Sequence, residues 1–398
     1  MTQMVHYAIT AQDSFEEHPL SRVDSLVFSW LAYLRLSCVE GAGEVNGVPL
    51  AELGQASVRT KLIASLHDMT NSSMLVQAVA ASPRFGQVRV CLHVTDSSEQ
   101  EGRQFSATTF LLPGGGVYVA FRGTDNTVLG WKENIRLACA TSVPSEDRAV
   151  SYLEEAAFLV DGPLWVGGHS KGGLLAAYAC AHASEAVRTR VQKCFSHDGP
   201  GASPELRASA TWHDDVPFEK TVPRDSLVGM TFERSQGGLV VVRSSEIGPL
   251  QHSPFSWEVR GDDFVCEQGL SYDAWRLSQR LNDWLEEMGP QQRSSFAELL
   301  CWLMDATGEA SFSGLLERWS SNSQAMREAL ERAPEADREL FARAMDDLVA
   351  TLLLGSRQEL RPESDEPEAK ANYAARRVED AAARVNDRLS QLDRLTGR

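Results

Sequence analysis

Leu164-Trp165-Val166-Gly167-Gly168-His169-Ser170-Lys171-Gly172-Gly173-Leu174-Leu175 is the stretch on which the reading of the fold turns. It contains Gly-x-Ser-x-Gly as Gly168, Ser170 and Gly172. The apolar run from Leu164 to Gly168 suits a buried strand, and the Ala/Leu-rich segment Gly172–His182 suits a helix. A serine on a tight strand-to-helix turn projects its hydroxyl from the sheet edge, and flanking glycines let neighbouring backbones pass close by. The helix start behind it offers N–H groups and a partial positive charge where an oxyanion would form. The plainer alternative is a turn with an incidental serine. A strand directly before and a helix directly after weigh against that.

Working outward, the same texture continues. Val88–Val94 alternates with period 2, Phe105–Leu112 is β-rich, and Pro113-Gly114-Gly115-Gly116 is a turn before the apolar run Val117–Phe121. Ser145–Leu159 reads as a helix with Ser145 as its N-cap, and Val191–Ser196 and Leu239–Arg243 as further strands. Alternating strand and helix signals predict a mostly parallel α/β sheet flanked by helices. Residues 1–85 read as a helical segment packed on that core, because Val23, Leu26, Val27, Trp30, Leu31 and Leu34 recur at helical spacing. The core spans 86–260, a helical extension 261–355, and a linker with a C-terminal helix 356–398. Ala371, Ala375, Val378, Ala382, Val385, Leu389 and Leu392 form a weak heptad stripe there. It is expected either to pack on the body or to pair two copies as a homodimer.

Composition narrows the function classes. The 398 residues carry 38 Lys and Arg against 55 Asp and Glu, a net charge of −17. Such a chain lacks the general positive field that draws proteins to nucleic acid or anionic membranes, so neither partner is expected. No apolar run approaches the roughly 20 residues of a membrane span. The first residues have neither a basic start nor an apolar signal core, so a cytoplasmic location is expected. The seven scattered cysteines offer no metal-binding spacing and read as reduced thiols. No cofactor or metal is expected.

A nucleophilic serine needs a base, and the base an orienting acid. Four histidines follow Ser170: His182, His197, His213 and His252. His182 lies in the helix behind the turn, His197 directly follows a strand, and His213 sits in a polar loop. His252, in a loop beyond the last strand, has the favoured position and order. For the acid, Asp225 falls between Ser170 and His252, 27 residues before the histidine. Asp198, directly after a strand end, is its rival. Phe121-Arg122-Gly123-Thr124-Asp125 ends an upstream strand, where a loop can supply oxyanion donors, with Thr124 offering backbone and hydroxyl.

These residues resemble the class 3 (fungal-type) lipases of the α/β-hydrolase superfamily, and more closely an uncharacterised bacterial lipase-like family. The resemblance rests on Gln104–Ala107, Phe121–Asp125 leading to Gly130-Trp131-Lys132-Glu133, Gly168–Gly173 and Gln251–Trp257, and covers roughly residues 20–260. It implies an α/β-hydrolase fold, with Ser170 as nucleophile, His252 as base and Asp225 as acid. Thr124 and the backbone N–H of Lys171 would form the oxyanion hole. The activity implied is hydrolysis of a small-molecule or lipid carboxylic ester or thioester. Lys171 departs from the leucine usual after the nucleophile, and no apolar lid helix is evident. A hydrolase fold that only binds or scaffolds is the alternative from another class.

Overall fold

A computed structural model describes residues 1–354 apart from 65, 67, 140–142, 235 and 236. The linker and heptad stripe expected beyond residue 355, and the pairing of copies through it, lie outside the described residues. The chain divides into two compact units, Met1–Leu340 and one beginning at Phe341. Every residue of the candidate site belongs to the first.

Helices open the chain: α1 (Gln3–Thr10) and α2 (Arg22–Leu31), then the short strand β1 (Val48–Pro49), α3 (Leu50–Leu53), α4 (Ala56–Leu62) and α5 (Met69–Ala81). The sheet continues with β2 (Arg89–Ser98), β3 (Arg103–Leu111) and β4 (Val117–Phe121). After α6 (Val128–Cys139) and α7 (Pro144–Leu159) come β5 (Leu164–His169), α8 (Lys171–His182), α9 (Glu185–Arg188) and β6 (Val191–His197). Next are α10 (Pro204–Arg207), β7 (Phe218–Pro223) and β8 (Leu239–Val242). A small hairpin, β9 (Val259–Arg260) with β10 (Asp263–Phe264), leads to the helical region α11 (Tyr272–Asp305), α12 (Phe312–Glu317), α13 (Trp319–Arg332) and α14 (Glu335–Leu354). Helix α11 breaks at Gly289, whose φ of +69° precedes Pro290.

The eight strands lie side by side in sequence order. Pairs β1–β2, β2–β3 and β3–β4 are antiparallel, and β4 through β8 are all parallel. A parallel run needs cover on both faces, and β4 shows how it is met. Tyr118 and Ala120 join a core with the N-terminal helices, whereas Val117, Val119 and Phe121 join one built on α7 and α8. This is an α/β-hydrolase fold with a helical C-terminal region. Helix α7 corrects one expectation: its N-cap is Val143 with Pro144 at the first position, and the Ser145 hydroxyl instead donates to Glu133 Oε1 at 2.5 Å.

One buried ion pair pins the N-terminal layer. Ser21 and Asp24 form a capping box at the start of α2. The same Asp24 carboxylate takes Arg84 Nη2 at 2.6 Å and Nε at 2.9 Å, and accepts from the Tyr7 hydroxyl at 2.7 Å. The remaining Arg84 donors reach the carbonyls of Asp13, Ser14, His18 and Pro19. Arg84→Ala leaves the Asp24 charge buried without its partner. Urea unfolding should then show a loss of about 3–5 kcal/mol; a loss below about 1 kcal/mol would contradict this role.

Candidate active site

The Ser170 backbone sits at φ +58° and ψ −131°, between the last residue of β5 and the first of α8. A non-glycine residue holds positive φ only where its surroundings over-determine it. Here the Ser170 N–H donates to the His197 carbonyl at 2.9 Å, and Gly173 N–H donates to the Ser170 carbonyl at 2.9 Å. The glycines are required by contact. A Cβ on Gly172 would lie 2.1 Å from the Phe121 carbonyl oxygen, and one on Gly168 would lie 2.3 Å from the Gly172 backbone. Strand β4, strand β5 and helix α8 therefore meet at backbone distance around Ser170.

His252 lies in a 3₁₀ turn, Gly248–His252, beyond β8. Its Nδ1 is 2.6 Å from Asp198 Oδ2. A carboxylate only accepts, so Nδ1 carries the proton and the Nε2 lone pair faces away from Asp198. Asp198 follows β6 at φ +49° and is fully buried. Its second oxygen accepts from the Ser226 hydroxyl at 2.5 Å and from Gly229 N–H at 3.1 Å.

Asp225, the acid favoured from sequence, stands elsewhere. Its carboxylate takes Gln251 Nε2 at 2.8 Å, while its own N–H donates to Gln251 Oε1 at 2.9 Å. That reciprocal clamp ties the turn after β7 to the residue before His252. The structure brings Asp198, not Asp225, to His252, because β6 is the direct neighbour of β5 and delivers its end beside the elbow. A Cβ on Gly199, for example, would lie 2.8 Å from the Ser170 carbonyl.

The other histidines separate from the site. His197 is buried in the core with Nε2 2.8 Å from Ser25 Oγ, and burial pushes its pKa down to about 3. His182 stacks on Tyr178, and His213 lines a cavity behind the sheet. His169, which sequence reading passed over, bridges the site. Its Nε2 donates to the His252 carbonyl at 2.9 Å, and its Nδ1 accepts from the Tyr33 hydroxyl at 3.1 Å. Burial, with neighbouring His252, pushes the His169 pKa down to about 3, so the ring is neutral and this tautomer is fixed.

Thr124 lies on the loop after β4, which crosses close to the elbow. A Cβ on Gly123 would collide with the Tyr33 hydroxyl and lie 2.6 Å from the His169 carbonyl. The Thr124 hydroxyl donates to Asn134 Oδ1 at 2.6 Å. Lys171 opens α8, and the first N–H groups of a helix have no partner within it. Its side chain turns into the protein, where Nζ donates to the Gln104 carbonyl at 2.6 Å, to Gln104 Oε1 at 2.8 Å and to Glu133 Oε2 at 2.7 Å. Burial lowers the Lys171 pKa and the Glu133 charge opposes that shift. Arg122 pairs with Asp125 at 3.3 Å and Lys132 with Asp305 at 2.7 Å. Lys171, Arg122 and Lys132 are thus each matched by a carboxylate within the protein. Among the described residues no three His, Cys, Asp or Glu side chains are grouped to hold a metal, and no helix is long and apolar enough to cross a membrane.

A family model described as Mbeg1-like matches residues 79–301, more than half of the chain. No curated protein matches the chain. Among solved structures, lipase II from Rhizopus niveus is 15% identical, with 55% of this chain and 77% of that chain covered and a TM-score of 0.30. The Rhizomucor miehei lipase propeptide complex is 11% identical, with 55% and 80% covered and a TM-score of 0.27. Both scores are too low to add to the geometry above. The family match, by contrast, spans the elbow, Asp198 and His252 together, and the chain belongs to the Mbeg1-like family.

Proposed function

We propose that this protein is a serine hydrolase that cleaves a carboxylic ester or thioester through Ser170, His252 and Asp198. The observation that carries the reading is the coexistence of a serine at positive φ on a strand–helix turn with a histidine whose Nδ1 is held by a buried carboxylate at 2.6 Å. Neither feature is needed to fold an α/β sheet, and together they support the reading of Ser170 as an activated nucleophile.

In this mechanism Ser170 Oγ attacks the acyl carbon and its proton passes to His252 Nε2. Asp198 holds the ring in the required tautomer and offsets the imidazolium charge that forms. The carbonyl oxygen becomes an oxyanion facing the backbone N–H groups of Thr124 and Lys171. Collapse of the tetrahedral adduct breaks the bond to the leaving oxygen or sulfur, which takes the proton from His252. Water then attacks the acyl-Ser170 ester, gives a proton to His252, and the serine leaves with that proton restored. The Lys171 ammonium takes no part, being spent on Gln104 and Glu133.

A fluorophosphonate probe tests the nucleophile. Intact mass should show one adduct on the wild-type chain and none on Ser170→Ala; absence of an adduct on folded wild type would favour the binding-protein alternative. With an ester substrate identified, Ser170→Ala should lower kcat by about 10⁴–10⁶-fold. Asp198→Asn should cost about 10⁴-fold. Asp225→Asn keeps an acceptor for Gln251 and should cost far less; equal losses would return Asp225 to the triad.

A further inference from the structure

A cavity of about 140 Å³ lies behind the sheet between α8, β6, β7 and the turns that follow β6. Part of its wall is small or apolar, with Ala177, Ala181, Val216 and Phe218 among the side chains, and part is charged or polar. Strand register sets Phe218 opposite Cys194 and Lys220 opposite Ser196, so Phe218 and Lys220 point to the same face of β7. Lys220 is a charged side chain in this wall, and it is only 3% exposed. The ammonium has three donors, and the partner it meets is Glu233 Oε2 at the long distance of 3.4 Å. Arg207, at the mouth, lies 3.8 Å from the same Glu233 oxygen. Two cations therefore share one carboxylate next to an apolar hollow. The other acid of the lining, Asp214, is engaged by Trp212 Nε1 at 2.7 Å.

The Asp198 charge supports Lys220 from beyond hydrogen-bond distance, but a buried lysine with one long ion pair as its direct contact is poorly compensated for its lost hydration. An anion entering the cavity would supply the missing acceptors. The space matches the about 150 Å³ apolar cavity that holds benzene, which limits an occupant to about six heavy atoms. We propose that this cavity binds a short monocarboxylate of about four carbons, its carboxylate on Lys220 and Arg207 and its alkyl chain against Ala177, Ala181 and Val216. This binding site is separate from Ser170, and its ligand class does not depend on the hydrolase reading.

Isothermal titration of the full chain with sodium butyrate tests the proposal, with butan-1-ol as the uncharged comparison. Saturable butyrate binding is expected, weakened about tenfold or more in Lys220→Met and in Ala177→Leu, which fills the hollow, but unchanged in Ser170→Ala. Thermal melts check that each variant is folded. Should both cavity variants fail to fold, wild type still decides: butyrate should raise the melting temperature of the wild-type chain in a saturable way, and butan-1-ol at equal concentration should not. Four results would overturn the proposal: no butyrate binding to wild type, butan-1-ol binding as tightly as butyrate, binding lost in Ser170→Ala but kept in Lys220→Met, or a wild-type melting temperature that butyrate leaves unchanged.

Discussion

Asp198 is the constraint on which the candidate site depends. Its backbone stands at φ +49° in a fully buried position, and both carboxylate oxygens are occupied. One holds His252, and the other takes the Ser226 hydroxyl and Gly229 N–H. A buried carboxylate is stable only when its charge is met by donors. The turn after β7 therefore serves the acid twice, through Ser226 and Gly229 directly, and through the Asp225–Gln251 clamp that fixes the chain one residue before His252. The elbow is joined to this assembly through the backbone, with Ser170 N–H on the His197 carbonyl and His169 on the His252 carbonyl.

Charge also organises the ground below the elbow. Lys171 occupies the position where an apolar residue would pack, and its ammonium is buried against Glu133 and Gln104. Glu133 in turn accepts from Gln104 N–H and the Ser145 hydroxyl. Helix α6, strand β3 and the starts of α7 and α8 are thereby joined through one carboxylate. Such a pair adds little net stability against a well-packed apolar core, but it demands that all its members be in place. The loop carrying Thr124 leads directly into α6, and the Thr124 hydroxyl on Asn134 continues the same connection. The two proposed oxyanion donors thus sit on segments braced by one network.

Much of this was legible in the sequence, because the elbow needs glycines at fixed spacing and the parallel strands are short apolar runs. The strand–turn–helix around Ser170, the loop carrying Thr124 after a strand and the position of His252 beyond the last strand were readable from local patterns, and the role of the Lys171 N–H was what the resemblance implied. The acid was not, and the reason is physical. Strand β7 reads Phe218-Glu219-Lys220-Thr221-Val222-Pro223, whose charged residues and terminal proline hide it from period-2 analysis. Without β7, Asp225 looks like a loop acid free to reach His252, when it actually follows a strand one place further from β5. Asp198 and Asp225 both follow strand ends. Only the order of strands in space, and the positive φ that turns Asp198, decide between them. The partners of Lys171 were equally hidden: Glu133 stands in a stretch that carries the resemblance, but it lies 38 residues away and nothing in either pattern pairs the two. Ser145 misled for a related reason: its hydroxyl serves that distant carboxylate instead of its own helix.

The most direct test of the account is a crystal structure of the full chain after reaction with a p-nitrophenyl alkylphosphonate. The account predicts phosphorus bonded to Ser170 Oγ, the phosphoryl oxygen accepting from the N–H groups of Thr124 and Lys171, and His252 still held by Asp198. A phosphonate attached to any other residue, or a His252 ring paired with Asp225, would contradict it.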